Sequence, residues 1–174
     1  MTDFQPIGVA HSPLSTPGAP PFQSSFSQAE GTIGIFPEFR EGLRNIDGFS
    51  HLILLSCFDR ATQRALTEQA LIDDVAPHGI FACRHFNRPN PIGISYVELL
   101  NVADGVLHVK GLDLLDGTPI LDIKPYIPAF DSFPDARTSW VTPRHIEQIR
   151  MAGQRAGQGM KEDQKHRSQW ETAD

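Results

Sequence analysis

The sequence predicts a mainly β protein: a small antiparallel β-barrel with short helices and a C-terminal helix. Three observations carry this. Asp104-Gly105 and Asp116-Gly117 each separate β-forming runs, and Asp-Gly suits the left-handed backbone of a tight hairpin turn. Phe49 to Phe58 is short and continuously apolar, as a strand buried on both sides would be. The 14 prolines and 14 glycines among 174 residues imply many turns. No glycine-rich strand-to-helix turn of the Rossmann kind is present.

The elements follow in order. Phe4 to Ala10 reads as a first strand, and Ser12 to Ser27, rich in Ser and Pro, as a long loop. Gly31 to Phe36 is a short strand. Pro37 opens a short helix through Ile46, with Phe39, Leu43 and Ile46 on one face. Phe49 to Phe58 is the buried strand. Ala61 to Val75 lacks a clean stripe and reads as loop and strand. Phe81 to Arg84 leads into a proline-rich motif. Ile94 to Val102, Val106 to Leu115 and Ile120 to Ile123 then form a meander through the two Asp-Gly turns. After Trp140 the character changes. Thr142-Pro143 caps a helix whose thin apolar face is Ile146 and Ile149. From Gly153 the chain is polar and glycine-punctuated, as disordered tails are. The expected organisation is a barrel domain over 1–138, then a helix and polar tail over 139–174.

Composition bounds the function. Hydrophobic content of 40% and charged content of 21% suit a globular protein with a core of its own. Apolar runs such as Leu52 to Leu55 are too short to span a bilayer. The start, Met1 to Pro6, has neither the basic region nor the apolar core of a signal peptide. Two cysteines, Cys57 and Cys83, make no disulfide framework, so a cytoplasmic location is expected. A net charge of −6 argues against non-specific wrapping of nucleic acid but not against a local basic patch. Cys57, Cys83, His51 and His85 lack paired metal-ligand spacing, and no metal is expected.

The stretch Arg88-Pro89-Asn90-Pro91-Ile92-Gly93 holds a cation and a carboxamide on a backbone that the prolines restrict. That is pre-organisation for binding, although a plain turn also uses Pro-Asn-Pro. This stretch, together with Gly79 to Arg84 and Asp113-Leu114-Leu115-Asp116-Gly117-Thr118-Pro119-Ile120-Leu121-Asp122-Ile123-Lys124-Pro125-Tyr126, strongly resembles the TrmO family, also called TsaA-like or YaeB-like proteins. Phe49 to Leu52 and Ile7 to Pro13 fit too, so the resemblance covers roughly residues 5 to 137. It implies a β-barrel homodimer that transfers a methyl group from S-adenosylmethionine to the exocyclic N6 of threonylcarbamoyl-adenosine, next to the anticodon of tRNA. The chain departs from the family pattern at His85-Phe86-Asn87, at Asp59-Arg60 and in a short C-terminal part. Its rivals are a methyltransferase for another modified base or a small molecule, and a module that binds S-adenosylmethionine without turnover.

Methyl transfer needs donor and nucleophile held in line. Arg84 suits the carboxylate of the donor or a phosphate. Asp59 and Asp113 suit its ammonium or ribose, and the backbone of Leu112, Asp113, Leu114 and Leu115 suits the adenine edge. The resemblance adds Pro21, Phe22, Gln23 and the surroundings of Ile94 and Ser95 to the cofactor shell, and Arg60 is a further candidate there. Arg88, Asn90, Lys124 and Tyr126 are candidates for substrate binding. Asp122, Tyr126, Asp131 and His85 are candidate bases for the acceptor nitrogen, unranked, each with a plain structural role as its alternative. Arg40, Arg44, Arg137 and Arg144 complete a candidate phosphate patch, and Phe22, Phe26, Phe86 and Tyr126 a stacking set.

Overall fold

The computed structural model describes residues 4–15, 23–69 and 76–153. The expectations for Pro21, Phe22, residues 70–75 and the tail beyond 153 lie outside the described residues.

Six antiparallel strands close into a barrel. They are β1 (Gly8–His11), β2 (Glu30–Ile35), β3 (His51–Cys57), β6 (Ile92–Ala103), β7 (Val106–Lys110) and β8 (Pro119–Pro125). Their order around the hoop is β1-β2-β7-β6-β3-β8. A separate two-stranded ribbon pairs β4 (Thr67–Gln69) with β5 (Pro77–Gly79), the loop and strand expected after Ala61. Alternation sets the core. Leu52 and Leu54 of β3, Val97 of β6, Leu107 and Val109 of β7 and Ile120 of β8 are fully buried together. Each contributes about 1.5–3 kcal/mol by leaving water.

The Asp104-Gly105 turn joins β6 to β7, with φ of 51° and 81°, the doubly positive pattern of a type I′ turn. The Asp116-Gly117 turn is different, and the expected meander does not continue through it. β7 ends at Lys110 because Gly111 takes φ 95°, and the amides of Gly111 and Leu112 both donate to Ala29 O. The next residues leave the sheet: Leu112 and Leu114 plug the barrel core. Asp116-Gly117 is a local reverse turn closed by Thr118 N–H on Leu115 O at 3.1 Å, and β8 pairs with β1 and β3 rather than β7.

Other boundaries shift for local reasons. β1 begins at Gly8 rather than Phe4, whose side chain is exposed. The expected helix over 37–46 is a 3-10 helix at Pro37–Leu43 and a second short turn at Ile46–Gly48, separated by left-handed Asn45. Phe39, Leu43 and Ile46 still pack on the core. The first α-helix, α1, is Pro128–Asp131. A second, α2, covers 143–153, and His145, Ile146, Ile149, Ala152 and Gly153 make its covered face.

Candidate active site

One end of the barrel is open. There β3 leaves the hoop and β6 and β8 enter it, with Cys57 opposite Ile92 and Ser56 opposite both Gly93 and Ile120. Gly93 keeps this mouth clear. A Cβ there would stand 2.5 Å from Ser56 Oγ and 2.6 Å from the Phe58 ring. The loops around the mouth enclose a cavity of about 500 Å³, within the size range of small-molecule sites.

The cavity floor is polar. Asp113 belongs to the loop from β7 to β8, and Ser95 of β6 donates its hydroxyl to Asp113 Oδ1 at 2.5 Å. Burial pushes the Asp113 carboxyl up from an ordinary 3.8 to about 6. The Ser95 hydroxyl, the backbone N–H groups of Asp113 and Ser24, and the Arg84 guanidinium pull it back only partly. The rim carries two guanidiniums, each bonded to a neutral oxygen. Arg84 donates to Gln23 Oε1 at 2.7 Å, and Arg60 to Asp116 O at 2.6 Å. The carboxylate of Asp59 stands beside them on the lining. Phe58, Phe81, Ile92, Ile94, Leu114 and Leu115 supply apolar wall.

The far wall is the stretch from Ile80 to Pro91. Arg88 bonds Ile80 O at 3.1 Å and Cys83 O at 2.7 Å, and its guanidinium lies over the Phe81 ring at 6.0 Å. It braces the 3-10 turn Ile80–Ala82. His85 is buried, accepts the Asn87 N–H on Nδ1 at 3.2 Å and stacks on Phe86 at 4.3 Å. Asn87 Nδ2 donates to Glu68 Oε1 at 2.8 Å, fixing this wall to the β4–β5 ribbon.

Of the residues singled out in the sequence, Gln23, Asp59, Arg60, Cys83, Arg84, His85, Phe86, Arg88, Ile92, Gly93, Ile94, Ser95, Asp113, Leu114 and Leu115 line this cavity. The others lie elsewhere. Leu112 is core, its amide on Ala29 O and its carbonyl accepting the Ser27 hydroxyl. Asn90 is exposed outside the lining. Asp122 and Lys124 share the outer face of β8 in an ion pair of 2.7 Å. Tyr126 meets Tyr96 edge-on at 5.8 Å and His51 at 6.4 Å. Asp131 Oδ2 accepts the Ile127 N–H at the head of α1. Sequence reasoning did not single out Phe58, Phe81 and Thr118, which also line the cavity. Phe81 had a visible signal, an aromatic inside a recognisable motif; Phe58 reads as the last residue of an apolar strand. Among the described residues no group of three His, Cys, Asp or Glu could hold a metal ion.

Three comparisons bear on this site. The family model for the tRNA-methyltransferase O N-terminal domain matches residues 9–132, which include every cavity-lining residue. A probable S-adenosyl-L-methionine-binding protein of Pyrococcus abyssi is 45% identical, over 81% of this chain and 77% of its own length. The tRNA (adenine(37)-N6)-methyltransferase of Escherichia coli is 37% identical, over 79% of this chain and 63% of its own. The crystal structure of TrmO from Pseudomonas aeruginosa superposes with a TM-score of 0.68 at 39% identity, covering 80% of this chain and 62% of that one. The chain thus spans less than two thirds of the Escherichia and Pseudomonas proteins.

Proposed function

This chain belongs to the tRNA-methyltransferase O family, and on that premise we propose that it is an S-adenosylmethionine-dependent methyltransferase. Its acceptor in this reading is the exocyclic N6 of a tRNA adenosine beside the anticodon, in the threonylcarbamoyl form. The observation that carries the reading is the cavity at the barrel mouth: a buried carboxylate, Asp113, below two guanidiniums, Arg60 and Arg84, with apolar walls between. That donor set fits an S-adenosylmethionine zwitterion. A carboxylate matches its cationic groups, the guanidiniums match its carboxylate, and Ile92, Ile94 and Phe58 match an adenine face. When bound, the cofactor supplies an electrophilic methyl group. The protein's part is to bind, orient and exclude water.

Among the candidate bases, His85 alone lines the cavity. With the Asn87 N–H on Nδ1, its neutral ring carries the proton on Nε2 and acts there as a donor. His85 therefore suits holding an acceptor oxygen more than removing a proton. A different acceptor is the second reading, favoured by the placement of His85 and Phe86, from the departing stretch His85-Phe86-Asn87, on the cavity lining. The proposal extends to a cytoplasmic homodimer, with Phe81, Ile92 and Ile94, exposed at the cavity rim, as a surface a partner copy would cover.

Mass spectrometry of tRNA nucleosides from a strain lacking the protein tests the acceptor. Loss of methylated threonylcarbamoyl-adenosine is expected. Unchanged nucleosides, with S-adenosylmethionine binding intact in the purified protein, would sink the tRNA reading and leave the second. Arg84→Ala should weaken S-adenosylmethionine binding by about tenfold or more, as loss of a charged hydrogen bond does, and leave the melting temperature in place. Unaltered affinity in a calorimetric titration would reduce Arg84 to a surface cation.

A further inference from the structure

The segment from Trp140 to Gly153 lies beyond the residues that the family model matches, and the chemistry above makes no use of it. Two of its contacts with the rest of the described residues fall on segments that carry cavity walls. At its start, Trp140 Nε1–H donates to Ala82 O at 2.9 Å. The indole also stacks on His78 at 4.1 Å and 13° between planes. Ala82 ends the turn whose neighbours Phe81, Cys83 and Arg84 line the cavity. At the last described residue of α2, Gly153 is buried against the turn Ser24–Phe26, so closely that a Cβ would come within 2.7 Å of Phe26 O. Arg150 lies over the Phe26 ring at 5.5 Å. That turn also serves the cavity: Gln23, just before it, lines the cavity, and the Ser24 amide helps hold Asp113.

Among the described residues, the side-chain bond from Arg84 to Gln23 joins the two walls at the rim. Neither turn belongs to the barrel sheet. α2 runs from one to the other, its start fixed by the reciprocal bonds of Thr142 and His145. We infer that residues 140–153 form a clasp that sets the spacing of the two cavity walls, with Trp140 and Gly153 as positioning residues for Arg84, Gln23 and Asp113. The inference rests on the reading of this cavity as the cofactor site, and its test separates the two.

The experiment compares the full chain with Trp140→Ala, Trp140→Phe and Gly153→Ala, by hydrogen–deuterium exchange without ligand and by calorimetric titration with S-adenosylmethionine. In Trp140→Ala and Gly153→Ala, amides of 23–27 and 80–84 should exchange faster while those of β3 and β6 keep their wild-type rates. S-adenosylmethionine should bind about five- to tenfold more weakly, the scale of one lost hydrogen bond. Trp140→Phe keeps the stack on His78 and should recover part of both effects. Wild-type exchange in the two walls would overturn the clasp, and so would equal acceleration in β3 and β6, which marks general destabilisation. If the wild-type protein does not bind S-adenosylmethionine, the cofactor reading fails, while the exchange data still decide the clasp.

Discussion

Asp113 concentrates the electrostatics of the site. A carboxyl whose folded value lies above its unfolded value stabilises the fold most below the unfolded value. That contribution is lost as pH rises through the folded one. For Asp113 the window runs from 3.8 to about 6. Asp113→Asn should therefore be more stable than wild type at pH 7, by about 1–3 kcal/mol, and equal to it near pH 4. Urea melts across that range check this, and a constant difference at all pH values would remove burial of the charge as the cause. Retaining a buried carboxylate at a stability cost is a mark of a functional position. The same titration reaches binding. Affinity for a cationic ligand should fall as pH drops below about 6, and the Asn variant should lose that dependence. The carboxylate itself was legible in the sequence. Its surroundings were not, because Ser95, Ser24 and Arg84 reach it from three separate elements.

At the scale of elements, the proline motif is a brace as much as a binding loop. The restricted backbone was legible, but Arg88 turns inward onto Ile80 O and Cys83 O, a choice of partners that no spacing reveals. Arg88→Ala leaves two carbonyls without these donors, and should cost about 1–3 kcal/mol of stability and loosen the wall. Arg88→Lys should restore less than half of that loss, since an ammonium lacks the planar fork. Full rescue by lysine in thermal melts would show that charge alone suffices. Gly93 closes the motif for a second reason, the absence of a side chain opposite Ser56 and Phe58. Gly93→Ala overpacks the mouth and should cost about 1–3 kcal/mol, with a narrowed cavity. A variant as stable as wild type would mean that Ser56 and Phe58 give way freely. Hairpins show the same split between local and non-local control. Asp104-Gly105 turned as its chemistry dictates, whereas Asp116-Gly117 did not join neighbouring strands. Neighbour order in a closed hoop depends on Leu112 and Leu114 entering the core, and their apolar character reads equally well as more strand.

For the whole molecule, fold class was the most legible property, because alternation along β6 and β7 specifies inside and outside directly and the continuous apolar run of β3 marks a buried strand. The cavity was legible only as a set of motifs. Its walls are loops from four parts of the chain, brought together where the barrel ends. This division places stiffness in the sheet and adjustability in the loops. His85-Phe86-Asn87, the departure from the family pattern, falls in a loop and so alters the cavity without disturbing strand register.

The closed hoop has a further consequence, for behaviour in crowded solution. An open sheet presents a bare row of amides and carbonyls that a second molecule can extend. In this barrel each strand has a bonded neighbour on both sides, and the separate ribbon has strands of only 3 residues. Native molecules therefore have little backbone to offer one another. On slow heating, light scattering should begin at the unfolding transition seen by circular dichroism and not before it. Scattering that rises well below that transition would show the barrel opening while the protein still counts as folded.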